Sequence, residues 1–63
     1  MKYRIREIRQ DKGISQTELA RKAGVTRATI WKLESGEDET TTTRTLLKIA
    51  LALNVDASEL FSA

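Results

Sequence analysis

Gly24-Val25-Thr26 joins two short segments that each open on a side-chain cap, and this corner limits the fold more than any other part of the sequence. Ser15-Gln16-Thr17-Glu18 has the form of a capping box: the Ser15 hydroxyl accepts from the amide three residues on, and Glu18 reaches back. Ile14 before the cap and Leu19 after it form a hydrophobic staple. Leu19, Ala20 and Ala23 give an inward stripe, and Gly24 closes the helix. Thr26 is a second preferred cap, and Val25 with Ile30 repeats the staple. Ile30 and Leu33 then face inward together, and Ser35-Gly36 ends the segment.

Each part of the corner has a mechanical reason. The small Ala20 and Ala23 let two helices cross closely, Gly24 permits positive φ, Val25 plugs the bend and Thr26 starts the next helix cleanly. Two short helices joined by a Gly-containing turn form a helix-turn-helix, here over about residues 15–35. An ordinary helical hairpin explains Gly24 equally well. It does not explain why the second helix is so lightly apolar.

The flanking segments are helical too. From about Tyr3 to Lys12, Ile5 and Ile8 face one way, and Gly13 ends the run. Thr42 or Thr43 can cap a fourth segment whose Leu46, Leu47, Ile49, Ala50 and Leu53 make a broad apolar stripe. Asn54 suits a left-handed stop, and Asp56 caps a last turn from Ala57 to Phe61. Glu37-Asp38-Glu39, followed by four threonines, reads as a loop. The expectation is an all-α single domain over 1–63, with five short helices and no strand.

Composition removes whole classes of function. A chain of 63 residues has a thin core, yet it holds no Cys and no His. A disulfide is impossible, a zinc or haem site lacks its usual ligands, and nucleophilic catalysis that needs a His base is absent. No metal, no cofactor and no enzymatic activity are therefore expected, and dimerisation is the one remaining staple. No run of about 18 apolar residues exists to span a membrane. The opening Met-Lys-Tyr-Arg-Ile-Arg lacks an apolar signal core, which reads as a cytoplasmic protein. The net charge of +2 conceals a split: residues 1–32 carry nine Lys and Arg against three acids, and residues 33–63 carry two against six. A basic front half suits a polyanionic partner.

Residues Arg6 to Ala20 (REIRQDKGISQTELA) resemble the opening of the phage-repressor/Cro (XRE-type) helix-turn-helix family, and Gly24 to Gly36 (GVTRATIWKLESG) resemble its recognition helix and exit. Thr45-Leu46-Leu47-Lys48-Ile49-Ala50 and Asp56-Ala57-Ser58-Glu59-Leu60-Phe61 are similar to its fourth and fifth helices. The resemblance implies a compact five-helix fold of the phage repressor type. It also implies a homodimer on a two-fold double-stranded DNA operator, half-sites about one helical turn apart, and helix 26–35 in the major groove. The function implied is a sequence-specific transcriptional regulator acting as a repressor.

Residue by residue, Gln16 and Thr17 fall at the start of the second helix, which usually touches the DNA backbone; the alternative for Gln16 is plain solvation. Arg27, Ala28, Trp31 and Lys32 lie opposite Ile30 and Leu33. Arg27 suits guanine O6 and N7, Ala28 a thymine methyl, and Lys32 a base or phosphate. Thr26 and Thr29 offer hydroxyls, with Thr26 equally explained as a cap, and Trp31 either packs on neighbouring loop atoms or contacts DNA. Arg44 would reach a phosphate.

Arg9 and Glu34 match a family pair expected as a partly buried structural salt bridge between the first and third helices. Val55, Ala57 and Phe61 are the candidate dimer residues, with core packing as the alternative for Phe61. The chain departs from the family at Glu37-Asp38-Glu39, where acids would be repelled by phosphate, and at Thr43, where an apolar residue is usual. An antitoxin-like protein-interaction module on the same fold is the alternative function. The acidic loop and Trp31 favour it, while the charge split and the Arg27/Lys32 face oppose it.

Overall fold

A computed structural model describes residues 3–36 and 42–61. Four α-helices follow in order: α1 (Ile5–Asp11), α2 (Gln16–Ala23), α3 (Arg27–Ser35) and α4 (Thr43–Leu53). A 3₁₀ turn, Ala57–Leu60, takes the place of the fifth helix. Its four residues are too few for α-helical hydrogen bonding and close with i→i+3 bonds instead: the Glu59 amide donates to the Asp56 carbonyl at 2.9 Å. Phe61 is already extended and bridges to Tyr3, so the two ends of the described chain meet. That bridge also explains why α1 begins two residues later than its periodicity suggests. Tyr3 is held in the bridge and the Arg4 amide donates to the Leu60 carbonyl at 2.6 Å, so the first helical bond runs from the Ile8 amide to the Arg4 carbonyl at 3.1 Å.

Local chemistry sets the helix ends. The hydroxyls of Ser15, Thr26 and Thr42 each accept from the backbone amide three residues on, which caps α2, α3 and α4. The capping box of α2 is only half made, because the Glu18 carboxylate meets Lys22 at 3.4 Å on the helix surface. Gly24 ends α2 at φ +71°, and Asn54 ends α4 at φ +59°.

The core is assembled from Ile5, Leu19, Ile30, Leu33, Ile49, Leu53 and Leu60, all with almost no exposed surface. Each such side chain contributes about 1.5–3 kcal/mol by leaving water. Helix α2 lies at the centre, packed on α3 through one side and on α4 through the other, while α1 leans on α3 and α4 on the closing turn. Ala20 and Ala23 are buried where a larger side chain would hold the helices apart, and Ile14 and Val25 pack on the core edge beside them. Leu47 departs from the expected stripe. It sits one residue past Leu46, so when Leu46, Ile49, Ala50 and Leu53 turn inward it faces water, as Leu51 does. The acidic segment Glu37-Asp38-Glu39 and the threonines Thr40 and Thr41 lie outside the described residues.

Candidate nucleic-acid interface

Helix α3 separates two kinds of side chain. Ile30 and Leu33 are sealed in the core, while Arg27, Ala28, Trp31 and Lys32 are exposed on the other side. Trp31 keeps 49% of its surface accessible, a large area to leave wet without a use. The Thr26 hydroxyl accepts from the Thr29 amide at 3.1 Å and pairs with the Thr29 hydroxyl at 2.9 Å. One O–H of the two hydroxyls serves that mutual bond, so the other remains able to donate outward.

The helix starts are also informative. Helices α1 and α2 carry an acid in the first turn, Glu7 and Glu18, which complements the positive end of the helix dipole. Helices α3 and α4 carry none; Arg27 is the first residue of α3 and Arg44 the second of α4. Both arginines are exposed, and a cation in that position opposes the dipole by a few tenths of a kcal/mol to about 1 kcal/mol. An anion bound there would be attracted both to the arginine and to the helix end, and so would offset that repulsion.

Behind this face sits one carboxylate. The Glu34 side chain, near the end of α3, has 0% exposure. Arg9 grips it with both arms, Nε donating to Oε2 at 2.7 Å and Nη2 to Oε1 at 3.1 Å. The remaining arm, Nη1, donates to the Ile14 carbonyl at 2.9 Å, immediately before the α2 cap. Gln16 Nε2 donates to the same Glu34 Oε1 at 3.0 Å, and Arg6 Nε approaches it at 3.4 Å. Burial alone would raise the carboxyl's pKa. The hydrogen bonds from Arg9 and Gln16, the Arg9 charge and the Arg6 contact outweigh it and hold Glu34 below its ordinary value. One side chain thus ties α3 to α1 and to the first residue of α2.

Gln16 is accordingly more than a solvated surface residue: one amide hydrogen is committed to Glu34, and the other has no acceptor among the described residues. Thr17 is exposed beside it. Reading the sequence passes over Arg6, although it stands three residues before Arg9 and therefore on the same side of α1. It also passes over Leu47 and Leu51 as surface. Of the residues expected at a dimer contact, Val55 and Ala57 are partly buried against the core, and the Phe61 ring stacks at a tilt on Tyr3 with centroids 5.7 Å apart. Among the described residues, no cluster of acids could hold a metal ion and no helix is long and apolar enough to cross a membrane.

A family model described as helix-turn-helix matches residues 5–60. An uncharacterized HTH-type transcriptional regulator of Archaeoglobus fulgidus is 44% identical over 61 residues, covering 97% of this chain and 86% of that protein. The restriction-modification controller protein C.AhdI from Aeromonas hydrophila has a similar structure, with a TM-score of 0.87 at 38% identity over 92% of this chain and 86% of its own. SinR, a master regulator for biofilm formation solved in complex with DNA, matches with a TM-score of 0.82 at 33% identity, over 87% of each chain.

Proposed function

The chain belongs to the helix-turn-helix family and is a DNA-binding transcriptional regulator rather than an enzyme; from that premise we propose that two copies bind a two-fold operator in the cytoplasm, each with α3 in the major groove. The observation that carries this reading is the division of α3. Its core side is complete without Arg27, Ala28, Trp31 and Lys32, so those residues are free to be chosen for what they touch outside. Arg27 takes a guanine edge, Ala28 a thymine methyl, and Lys32 and Trp31 the groove further along. The spare hydroxyl hydrogen of the Thr26–Thr29 pair serves the groove edge. Gln16, Thr17 and Arg44 hold phosphates on either side and fix the register of α3. Repression requires only occupancy of the site, which binding alone supplies.

The second copy fits the outer side of α4. Leu47 and Leu51 are a turn apart and exposed, Leu51 to 80%. Next to them a shallow groove is lined by Leu51, Asn54, Val55, Asp56 and Glu59. The basic Lys48 lies beside Leu47 at the start of this apolar patch and the acids Asp56 and Glu59 follow it, so an antiparallel two-fold contact sets each copy's basic end against its partner's acidic end. Leu47, Leu51 and Val55 thus form the centre of the contact, with Ala57 and Phe61 at its margin. Selection from random duplexes, followed by titration of the winner at several salt concentrations, tests the whole reading. The expected result is an inverted repeat with centres about 10 base pairs apart and an affinity that falls steeply with salt. Affinity independent of salt and of sequence would instead indicate a protein-interaction module.

A further inference from the structure

The Glu34 cluster holds one more positive charge than its acid neutralises. Arg9, 12% exposed, satisfies the carboxylate with two hydrogen bonds, at 2.7 and 3.1 Å, and buries with it as a neutral pair. Arg6 adds a second guanidinium to the same oxygen through Nε alone, at 3.4 Å and with 57% of its side chain exposed. A contact that long and that wet holds little of the fold together. On its own helix Glu7 pairs with Arg4 at 3.0 Å, Asp11 stands at the far end without an ion pair to Arg6, and among the described residues no further ion pair involves Arg6. The excess charge therefore resides on Arg6, whose terminal amino groups make no hydrogen bond among the described residues.

Its position gives that charge a use. Arg6 Nε and Gln16 Nε2 share Glu34 Oε1 as acceptor, so they lie no further apart than those two hydrogen bonds laid end to end. Among the described residues Gln16 keeps one amide hydrogen spare, and Arg6 keeps its terminal amines. Gln16 is held by that oxygen at 3.0 Å and Arg6 rests in looser contact with it at 3.4 Å, so less entropy is lost at Gln16 when a ligand arrives. We propose that Arg6 is a further DNA-backbone contact, positioned by Glu34 beside Gln16 so that the two side chains hold the same phosphodiester group. This rests on the reading that α3 enters the groove, because only that orientation brings the start of α2 to the backbone. A phosphodiester suits the pair: the guanidinium supplies the charge and a planar donor edge, and the amide supplies a neutral second donor.

The test is Arg6→Gln and Arg6→Lys in the full chain, titrated against the selected duplex and an unrelated one between 50 and 200 mM salt. For Arg6→Gln the expected result is weaker binding on both duplexes, with the log–log salt slope shallower by about 0.9 for each bound copy. The affinity gained on going from high to low salt would shrink by roughly 3-fold per copy. Arg6→Lys should recover most of the slope, and the melting temperature should stay at the wild-type value in both variants. Wild-type slope and affinity in Arg6→Gln would overturn the inference. If Arg27→Ala still altered sequence preference in that case, the groove reading would survive without it. A wild-type protein whose binding is flat in salt would overturn both.

Discussion

Removing the Glu34 carboxylate is the perturbation that the structure makes most costly. Four hydrogen bonds end on it, two of them from Arg9. In Glu34→Ala the Arg9 guanidinium, 12% exposed, is left without its counter-ion, and Gln16 loses its acceptor. Stranding one member of a fully buried pair costs about 3–5 kcal/mol. Arg9 keeps its bond to the Ile14 carbonyl and a fringe of water, which places the loss near the lower end, about 3 kcal/mol. A chain of 63 residues has about 3–9 kcal/mol of total stability, and each kcal/mol moves its melting temperature by about 4–8 °C. The expected fall is thus about 12–24 °C. Thermal melts by circular dichroism would measure it, alongside Arg9→Ala, for which a similar loss is expected. The double variant Arg9→Met/Glu34→Leu should regain most of the stability, since apolar residues of similar volume commonly replace a buried pair without loss. A Glu34→Ala melting temperature within about 4 °C of wild type would refute the reasoning, because it would mean that Arg9 finds water at little cost.

The same carboxylate gives a pH signature. Its folded pKa lies below the ordinary glutamate value, so its contribution is complete above about pH 4.5 and is lost as pH falls further, through the folded pKa; the stability gap between wild type and Glu34→Gln should narrow over that range in melts from pH 7 to pH 3. Arg27→Ala should leave the melting temperature unchanged and cost about 1–3 kcal/mol on the selected operator, with preference relaxed at a single base pair when every substitution there is titrated. Leu51→Glu should abolish self-association in sedimentation velocity without unfolding the protomer, since the side chain is already 80% exposed; retained dimers would place the second copy elsewhere. Gly24→Ala isolates a backbone effect, because a Cβ there meets nothing within 4 Å and only the φ of +71° is penalised. Urea denaturation should show a loss of about 1–2 kcal/mol.

Much of the fold is legible because its instructions are local. Ser15, Thr26 and Thr42 cap helices with their own side chains, Gly24 and Asn54 reverse the chain through their own φ, and the stripe in α2 is fixed by helical spacing alone. Misreadings arise where the outcome depends on a competition that is invisible along the chain. Glu18 had a backbone partner in prospect and took Lys22 instead. Leu47 is as apolar as Leu46, but the direction from which α2 approaches α4 decides which of the two is buried. The start of α1 is set by residue 60, far away in sequence, through the bond from Arg4. The α3 side of the candidate interface is readable by subtraction, since residues left over from the core stripe must face outward. The convergence of Arg6 and Gln16 on a single oxygen requires α1 and α2 to be placed relative to α3, and no spacing encodes that.

The arrangement also decides which substitutions can alter recognition cheaply. The outward side of α3 shares no core contact with Ile30 and Leu33, so a change at Arg27, Ala28 or Lys32 alters the groove chemistry while the helix stays seated. Glu34 lies on that same helix, but its partners come from α1 and from the first residue of α2. A change there moves stability and phosphate positioning together, because the carboxylate that pairs with Arg9 is also the acceptor that orients Gln16 and Arg6. Sequence preference and folding are therefore separable on this scaffold, and only at Glu34 do backbone grip and folding change together, through one buried carboxylate. A variant with altered base preference should be found among substitutions that leave the melt unchanged. A variant with generally weakened binding should be found either at an exposed phosphate contact such as Arg6, Thr17 or Arg44, with a normal melt, or at Glu34, with a lowered one.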